Sequence, residues 1–387
     1  MSLKAGVVGL GILGSQHLDF LRQEPEVEVV AVCDVRQDVA ASLAAQAGAA
    51  SYADYEAMYR ENKLDLVAVA TPDPLHKGPV LSAVSSGVPY IIQEKPMATT
   101  VADAEEMLEA AERKNARIFI NYANRGSAFD RATYRVIRKG LIGDVVYGEV
   151  HLDDNISVPT KMWGERTEEW VSGSSTAQFL LSHVIDFLLW VFAPAKVTEV
   201  YAIAQQKVLG YTPDLYDAFL TLDSGAKFRV KAEWIKHIDT LVEFAFSFSG
   251  STGSLFYTKR PGFGAVEGWR ANLGDHVSTE GLLSVQEELA QEGIAARALV
   301  HQPNPTAGAL QAGGAKRARG LEAFELPQDW WRIVRGFVDA ILQDTLTPSS
   351  WQGYGPLPTG IDGLHQTQVV SAIVQSAETG RLVPVCW

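Results

Sequence analysis

Cysteine is almost missing from this chain: of 387 residues only Cys33 and Cys386 are cysteines, far apart in sequence. They form neither a disulfide framework nor metal-ligand spacing, so no metal is expected, and their scarcity suits a reducing cytoplasm. Long apolar runs are missing too; none approaches the ~20 uninterrupted residues that span a bilayer. The opening "MSLKAGVVGLGILG" places a lysine ahead of an apolar run, as a secretory leader does. Glycines interrupt that run and no small-residue cleavage site follows, so a buried first strand explains it better. Basic runs are also absent, and the formal charge is −13. Nucleic acid and anionic membranes, which need a concentrated cationic face, are therefore not expected partners. What remains is a soluble, cytoplasmic composition, 47% hydrophobic and 20% charged, long enough for two cores.

The first 120 or so residues alternate in a βα rhythm. "AGVVGL", "VEVVAVC", "LDLVAVA", "PYIIQ" and "ARIFIN" are short apolar runs, separated by helix-like segments such as "VADAEEMLEAAERKN". Continuous apolar strands between amphipathic helices predict a parallel sheet covered on both faces. Beyond Asn121 the rhythm changes: a helix over 128–139, a strand around 145–152, then strands from 196 to 258 punctuated by "DSG" and "GSTGS". The fold class expected is α/β. A Rossmann-type doubly wound domain (1–122) precedes an α+β domain (123–387) with an open, mainly antiparallel sheet. Residues 286–320, rich in Ala, Gly, Gln and Pro, read as an insertion loop or arm, and two helices near 329–343 and 361–380 close the chain.

"GLGILG" puts Gly9, Gly11 and Gly14 after the first strand and at a helix start. The first glycine permits the tight turn, the second lets backbone approach a pyrophosphate, and the third lets helix and strand close together. The amides of Ile12 and Leu13 would face the phosphates. Asp34 follows Gly14 by 20 residues, at the end of the second strand, where a carboxylate meets the adenosine ribose. A carboxylate there accepts from a 2′-hydroxyl and repels a 2′-phosphate, favouring NAD, with NADP left open. Arg36 is placed to stack on adenine, or to pair with a phosphate if Asp34 turns away.

"ATPDPLH" (70–76) and "QEKPMATT" (93–100), together with "RKGLIGDV" (138–145) and the stretch 359–381, make the chain resemble the glucose–fructose oxidoreductase/inositol dehydrogenase (Gfo/Idh/MocA) family of two-domain nicotinamide-dependent oxidoreductases. The resemblance implies that Thr71, Pro72 and Asp73 line the cofactor path, with His76 shaping that loop. It implies that Glu94 contacts the nicotinamide ribose and that Lys95 sits beside the reacting carbon. Independently, a lysine directly after a buried strand lies where open α/β sheets bind ligands, and its ammonium can stabilise a developing alkoxide.

His183 sits in the otherwise apolar stretch "STAQFLLSHVIDFLLW". By residues alone it is either a hydrogen-bonded core histidine or a base near neutral pKa. The resemblance places it in the site, because the family's second domain carries D-x-G-x-H-x-x-D, matched here by His183 and Asp186. The first aspartate of that pattern is Phe179 here and its glycine is Leu181, so an aspartate–histidine relay is not expected. His183 would act alone, through water, or with Tyr122. Arg125, Trp163 and Asp186 are candidate substrate contacts, with Trp170 near them; domain-junction packing is the competing role of the tryptophans. The expected activity is hydride transfer from a secondary hydroxyl of a sugar, cyclitol or polyol. The alternatives are a redox-neutral NAD-dependent glycosidase-like enzyme and a non-catalytic dinucleotide sensor. A homodimer or homotetramer is expected from the apolar residues on both faces of the second sheet.

Overall fold

The computed structural model describes residues 2–259, 268–302, 318–324 and 331–387. Six parallel strands form the first sheet: β1 (Leu3–Val8), β2 (Val27–Cys33), β3 (Ala50–Tyr52), β4 (Leu66–Val69), β5 (Tyr90–Glu94) and β6 (Arg117–Asn121). Their spatial order, β3-β2-β1-β4-β5-β6, is that of the dinucleotide-binding doubly wound fold. Every residue of β4 is buried, as strands covered on both faces require. The order reverses between β1 and β4, and there the loops leaving the two strands part to form a crevice.

The second sheet has ten strands: β7 (Val145–Asn155), β8 (Val197–Gln205), β9 (Leu215–Leu222), β10 (Lys227–Lys236), β11 (Val242–Gly250), β12 (Gly253–Lys259), β13 (Gly268–Leu273), β14 (Ala296–Gln302), β15 (Ala318–Phe324) and β16 (Val383–Pro384). β7 and β10 run parallel and the other pairings are antiparallel. The strands alternate cleanly. On β7, Gly148, Val150, Leu152 and Asp154 are buried on the inner face, while Glu149, His151 and Asp153 point outward. Asp153 is buried nonetheless, under Lys231 and Lys236.

The expectation of an irregular arm over 286–320 does not hold for the described residues. Gln286 to Gln291 complete the helix Thr279–Gln291, and β14 and β15 extend the sheet. Leu289, Leu299, Leu321 and Ala323 are buried between them. The alternation was hidden because small residues occupy half the inward positions and the pairing is long-range. Residues 303–317 lie outside the described residues.

The closing helices, Arg332–Gln343 and Gly360–Thr379, begin and end within a residue or so of the sequence expectation except at Arg332. The first packs against the first sheet, and the second spans from that sheet to the other. Phe337 stacks on Phe119 of β6 at 4.9 Å, and Trp331 lies against His17 and Phe20 of the first helix, Ile12–Gln23. Burying a side chain such as Phe337 contributes about 1.5–3 kcal/mol, so this junction is a firm one. The Gly360 helix also packs along β8 of the second sheet.

Candidate active site

The crevice starts at the glycine loop. Gly9 has φ +84°, and a Cβ there would meet the Ala70 carbonyl at 2.6 Å. A Cβ on Gly14 would lie 1.7 Å from the Gly9 carbonyl oxygen, so only glycine lets helix and strand approach. Gly11 is different, because a Cβ there would meet nothing within 4 Å. That open side lies at the start of the Ile12–Gln23 helix, whose N-terminus has no side-chain cap and no acid in its first turn. Exposed Ile12 and Leu13 stand there. An uncapped helix N-terminus flanked by open glycine backbone fits a pyrophosphate.

Asp34, at the end of β2, accepts from the Leu10 amide at 2.7 Å and from Arg36 through its backbone, Nε and Nη2 at 2.9 Å each. Burial alone would raise its carboxyl, but these donors hold it below the usual carboxylate range. It is thus an ionised acceptor beside the loop. Arg36 also donates to the Leu10 carbonyl, so it braces Asp34 rather than turning it away.

At the end of β4, Thr71 donates to the Leu75 carbonyl, and one ring nitrogen of His76 lies 2.8 Å from the Thr71 carbonyl. The other ring nitrogen is 2.8 Å from the Pro96 carbonyl, tying this loop to the one after β5. Pro72 opens the short helical turn Asp73–Leu75, and Asp73 accepts from Ser174 Oγ at 2.6 Å. The nucleotide-side loop is thereby joined to the second half of the chain.

Glu94, the last residue of β5, is buried and accepts from His17 and Asn121. Burial opposes its ionisation, and His17 and Asn121 restore it, holding the carboxyl below its ordinary value. Lys95 follows through a cis bond to Pro96. Its Nζ donates to the Phe179 carbonyl at 3.0 Å and lies 3.7 Å from the centre of the Phe179 ring. Burial pushes this ammonium below the ordinary lysine value, against the pull of Asp73, Glu94 and Asp154.

Phe179 belongs to a π-helical turn, Ala177–Leu181, that precedes the α-helix Ser182–Val191 carrying His183. Regular α-helical spacing therefore begins only at Ser182. The wide turn presents the Phe179 carbonyl, which accepts from both Lys95 and Ser182 Oγ; such turns favour functional sites. His183 is half-buried, and its Nδ1 is buried without a hydrogen-bond partner. Burial, then Lys95 and Lys259, push its imidazole well below the usual histidine value. A neutral ring with an open nitrogen can take up a proton.

Two family models fit this chain. The "oxidoreductase family, NAD-binding Rossmann fold" model matches residues 3–122, and the GFO/IDH/MocA C-terminal domain model matches 131–256. The chain belongs to the GFO/IDH/MocA oxidoreductase family. It is an NAD-binding oxidoreductase by that membership. It is 25% identical over 388 residues to inositol 2-dehydrogenase 3 of Saccharopolyspora erythraea, covering all of this chain and 96% of that one. It is 26% identical to D-glucoside 3-dehydrogenase of Escherichia coli over 53% of this chain and 58% of the other. Among solved structures, a levoglucosan dehydrogenase in complex with NADH and L-sorbose superposes with a TM-score of 0.75 at 18% identity, each chain covered in full, which shows the shared fold.

Within this GFO/IDH/MocA chain, several expected contacts are arranged otherwise. Arg125 donates from Nε and Nη2 to Asp186 at 3.0 and 2.6 Å, both groups being buried, and also reaches Asp362. Burial raises Asp186 to about 6 despite this arginine. The two residues proposed as substrate contacts thus engage each other and join the segment after β6 to two helices of the second half. Tyr122 donates to Gln366, so its hydroxyl is committed and is not the extra donor beside His183. Trp163 stacks at 3.9 Å on Trp170, which lies edge-on to Phe179 at 4.7 Å, so both tryptophans back the Phe179 ring.

Sequence reasoning missed the sheet's contribution. Asp154 on β7, Trp234 on β10 and Lys259 on β12 all occupy inward positions at the same end of the sheet. Lys259 pairs with Asp130 and sits 4.5 Å from the Phe244 ring. Alternation was the available signal: "VHLDD" and "LFYTK" each place a charged residue in phase with buried apolar ones. Among the described residues no cluster of His, Cys, Asp and Glu is placed to hold a metal, and no helix is long and apolar enough to cross a membrane.

Proposed function

We propose that this chain oxidises a secondary hydroxyl of a neutral sugar, cyclitol or related polyol, with NAD as acceptor. The single observation that supports this reading is Lys95, just past the carboxyl end of β5, donating to the Phe179 carbonyl four residues before His183, whose Nδ1 is buried without a partner. In this reading Gly9, Gly11, Gly14, Ile12 and Leu13 hold the pyrophosphate, and Asp34 accepts from the ribose. Thr71, Pro72, Asp73, His76 and Glu94 line the path toward Lys95. When bound, the nicotinamide supplies the hydride acceptor. Lys95 orients the substrate hydroxyl and stabilises the oxygen as it loses its proton; His183 takes that proton. The names of the inositol, glucoside and levoglucosan dehydrogenases support the substrate class. The ionised, braced Asp34 supports NAD over NADP.

Exposed Tyr201 pairs across the outer face with exposed Phe219, and Ile203 and Phe256 are exposed as well. This supports assembly as a dimer or tetramer through the second sheet, a state that the sedimentation mass reads directly.

The test is an absorbance screen of NAD and NADP against inositols, sugars, anhydrosugars and sugar acids, for the wild type, Lys95→Ala and His183→Ala. Reduction of NAD by a neutral polyol, lost by at least about 100-fold in both variants, is expected. Binding of NADH with no oxidation of any panel member would instead favour the sensor reading.

A further inference from the structure

Lys95 carries a charge that the fold buries without neutralising. The residue is 5% exposed, and an ammonium so placed needs compensation. It has three N–H donors, yet only one hydrogen bond to a described residue leaves Nζ, to the Phe179 carbonyl at 3.0 Å. Asp73, Glu94 and Asp154 face it from the loop after β4, from β5 and from β7, and act on it only across a gap. None of the three forms an ion pair with it. Asp73 is engaged by Ser174, and Glu94 by His17 and Asn121. The remaining near neighbour is a ring. Nζ stands 3.7 Å from the centre of the Phe179 ring, well inside the distance at which a ring face attracts a cation. The carbonyl and the side chain of one residue thus hold the ammonium together.

That ring is fixed from behind. The Phe179 amide donates to the Ser175 carbonyl at 2.9 Å, and its own carbonyl accepts from Ser182 Oγ as well as from Lys95. Trp170 at 4.7 Å, Trp234 at 5.9 Å and Trp163 at 6.2 Å surround the side chain. We propose that Phe179 is a positioning residue for the reaction: its ring face, through a cation–π contact, aims Lys95 and keeps it an ammonium without neutralising it. The kinetic consequence rests on the polyol-oxidation reading above. A carboxylate in this place would cancel the charge and take up N–H donors. A π face attracts the cation and accepts no strong hydrogen bond, so the donors not given to the Phe179 carbonyl are left for a substrate oxygen. The undiminished positive charge then meets that oxygen as its proton leaves. Burial pushes Lys95 below the ordinary lysine value, and the ring opposes that push. The same charge bears on His183, which faces Lys95 from the following helix, and favours the neutral imidazole that can take up the proton.

The experiment replaces Phe179 with leucine and, by stop-codon suppression, with mono-, di- and trifluorinated phenylalanine. Each added fluorine weakens the negative face of the ring while nearly keeping its shape, which separates charge attraction from packing. The full chain, carrying carbon-13 at lysine Cε, is titrated by NMR, with the Lys95 signal assigned by its loss in Lys95→Arg. The Lys95 midpoint is expected to fall step by step along the fluorinated series and by about one pH unit in Phe179→Leu, the equivalent of a buried cation–π contact. The alkaline limb of kcat for NAD-dependent polyol oxidation is expected to move down by the same steps. A midpoint that stays at the wild-type value across the fluorinated series overturns the clamp, whether or not the leucine variant folds. A midpoint that follows the ring while the kcat limb does not confines Phe179 to structure and overturns its part in the reaction. A midpoint that follows the ring in a chain that oxidises no neutral polyol upholds the clamp and overturns the polyol reading, so the two fail separately.

Discussion

Replacing Asp154 with asparagine should stabilise the fold at neutral pH. The carboxyl is raised to about 8 in the folded chain because burial disfavours its charge; Lys95 and the Trp234 N–H oppose that rise, and Asp153 on the same strand adds to it. In the unfolded chain an aspartate titrates near its ordinary ~3.9. Between those two values the unfolded state has lost a proton that the folded state keeps. Stability therefore falls as pH rises, by about 1.4 kcal/mol per pH unit. From about pH 5 to about pH 7.5 the accumulated cost is on the order of 3 kcal/mol. Asparagine keeps the shape and does not titrate, so the gap between variant and wild type should open by that amount over the same interval. Below about pH 4 both forms of the wild type are protonated and this contribution vanishes. Urea unfolding at a series of pH values, followed by tryptophan fluorescence, reads the gap directly, since Trp163, Trp170 and Trp234 lie close to the site. A gap that stays constant across the interval, or that closes as pH rises, would refute the reasoning and show that Asp154 is ionised in the folded chain.

Gly14→Ala should abolish NADH binding, because its Cβ would fall 1.7 Å from the Gly9 carbonyl oxygen and force helix and strand apart where the phosphates are held; a fluorescence titration that finds affinity within about tenfold of wild type would contradict the cradle. Arg125→Met should destabilise the chain by about 3–5 kcal/mol by leaving Asp186 buried without its partner. With Asp186 already raised to about 6, loss of the arginine raises it further, so the melting-temperature deficit should be larger at alkaline than at acidic pH. The double variant Arg125→Met/Asp186→Leu should recover most of the loss.

What the sequence disclosed was local. The glycine loop, Asp34 and Lys95 each sit at the end of a strand whose apolar run is self-evident, so chain order alone brings them to one sheet edge. The three-residue strand β3 escaped because two of its residues are exposed and carry no apolar run. The π-helical turn escaped because its phase depends on how Lys95, from another segment, meets the Phe179 carbonyl. Arg125 and Asp186 were both noticed, but residue type cannot say whether two opposite charges face a ligand or each other, and here they lie 61 positions apart and meet.

Asp154, Trp234 and Lys259 show where such reading runs out and how far it could have gone. Each is in phase with the buried side of its own strand, and a charged residue in that phase is a signal, since burying charge without a partner is costly. Alternation therefore flags Asp154 and Lys259 from sequence. It cannot tell their fates apart. β12 brings Lys259 to Asp130, where the charge is balanced and the role is structural. β7 brings Asp154 to an indole N–H and, across the crevice, to a lysine from the first sheet, and its Oδ2 is left open. The difference lies in which strands are neighbours in the second sheet and in how that sheet faces the first. Which inward charge is balanced and which is left open is thus decided by long-range strand pairing, β7 against β10 and β12 beside β11, that no local stretch of the sequence encodes.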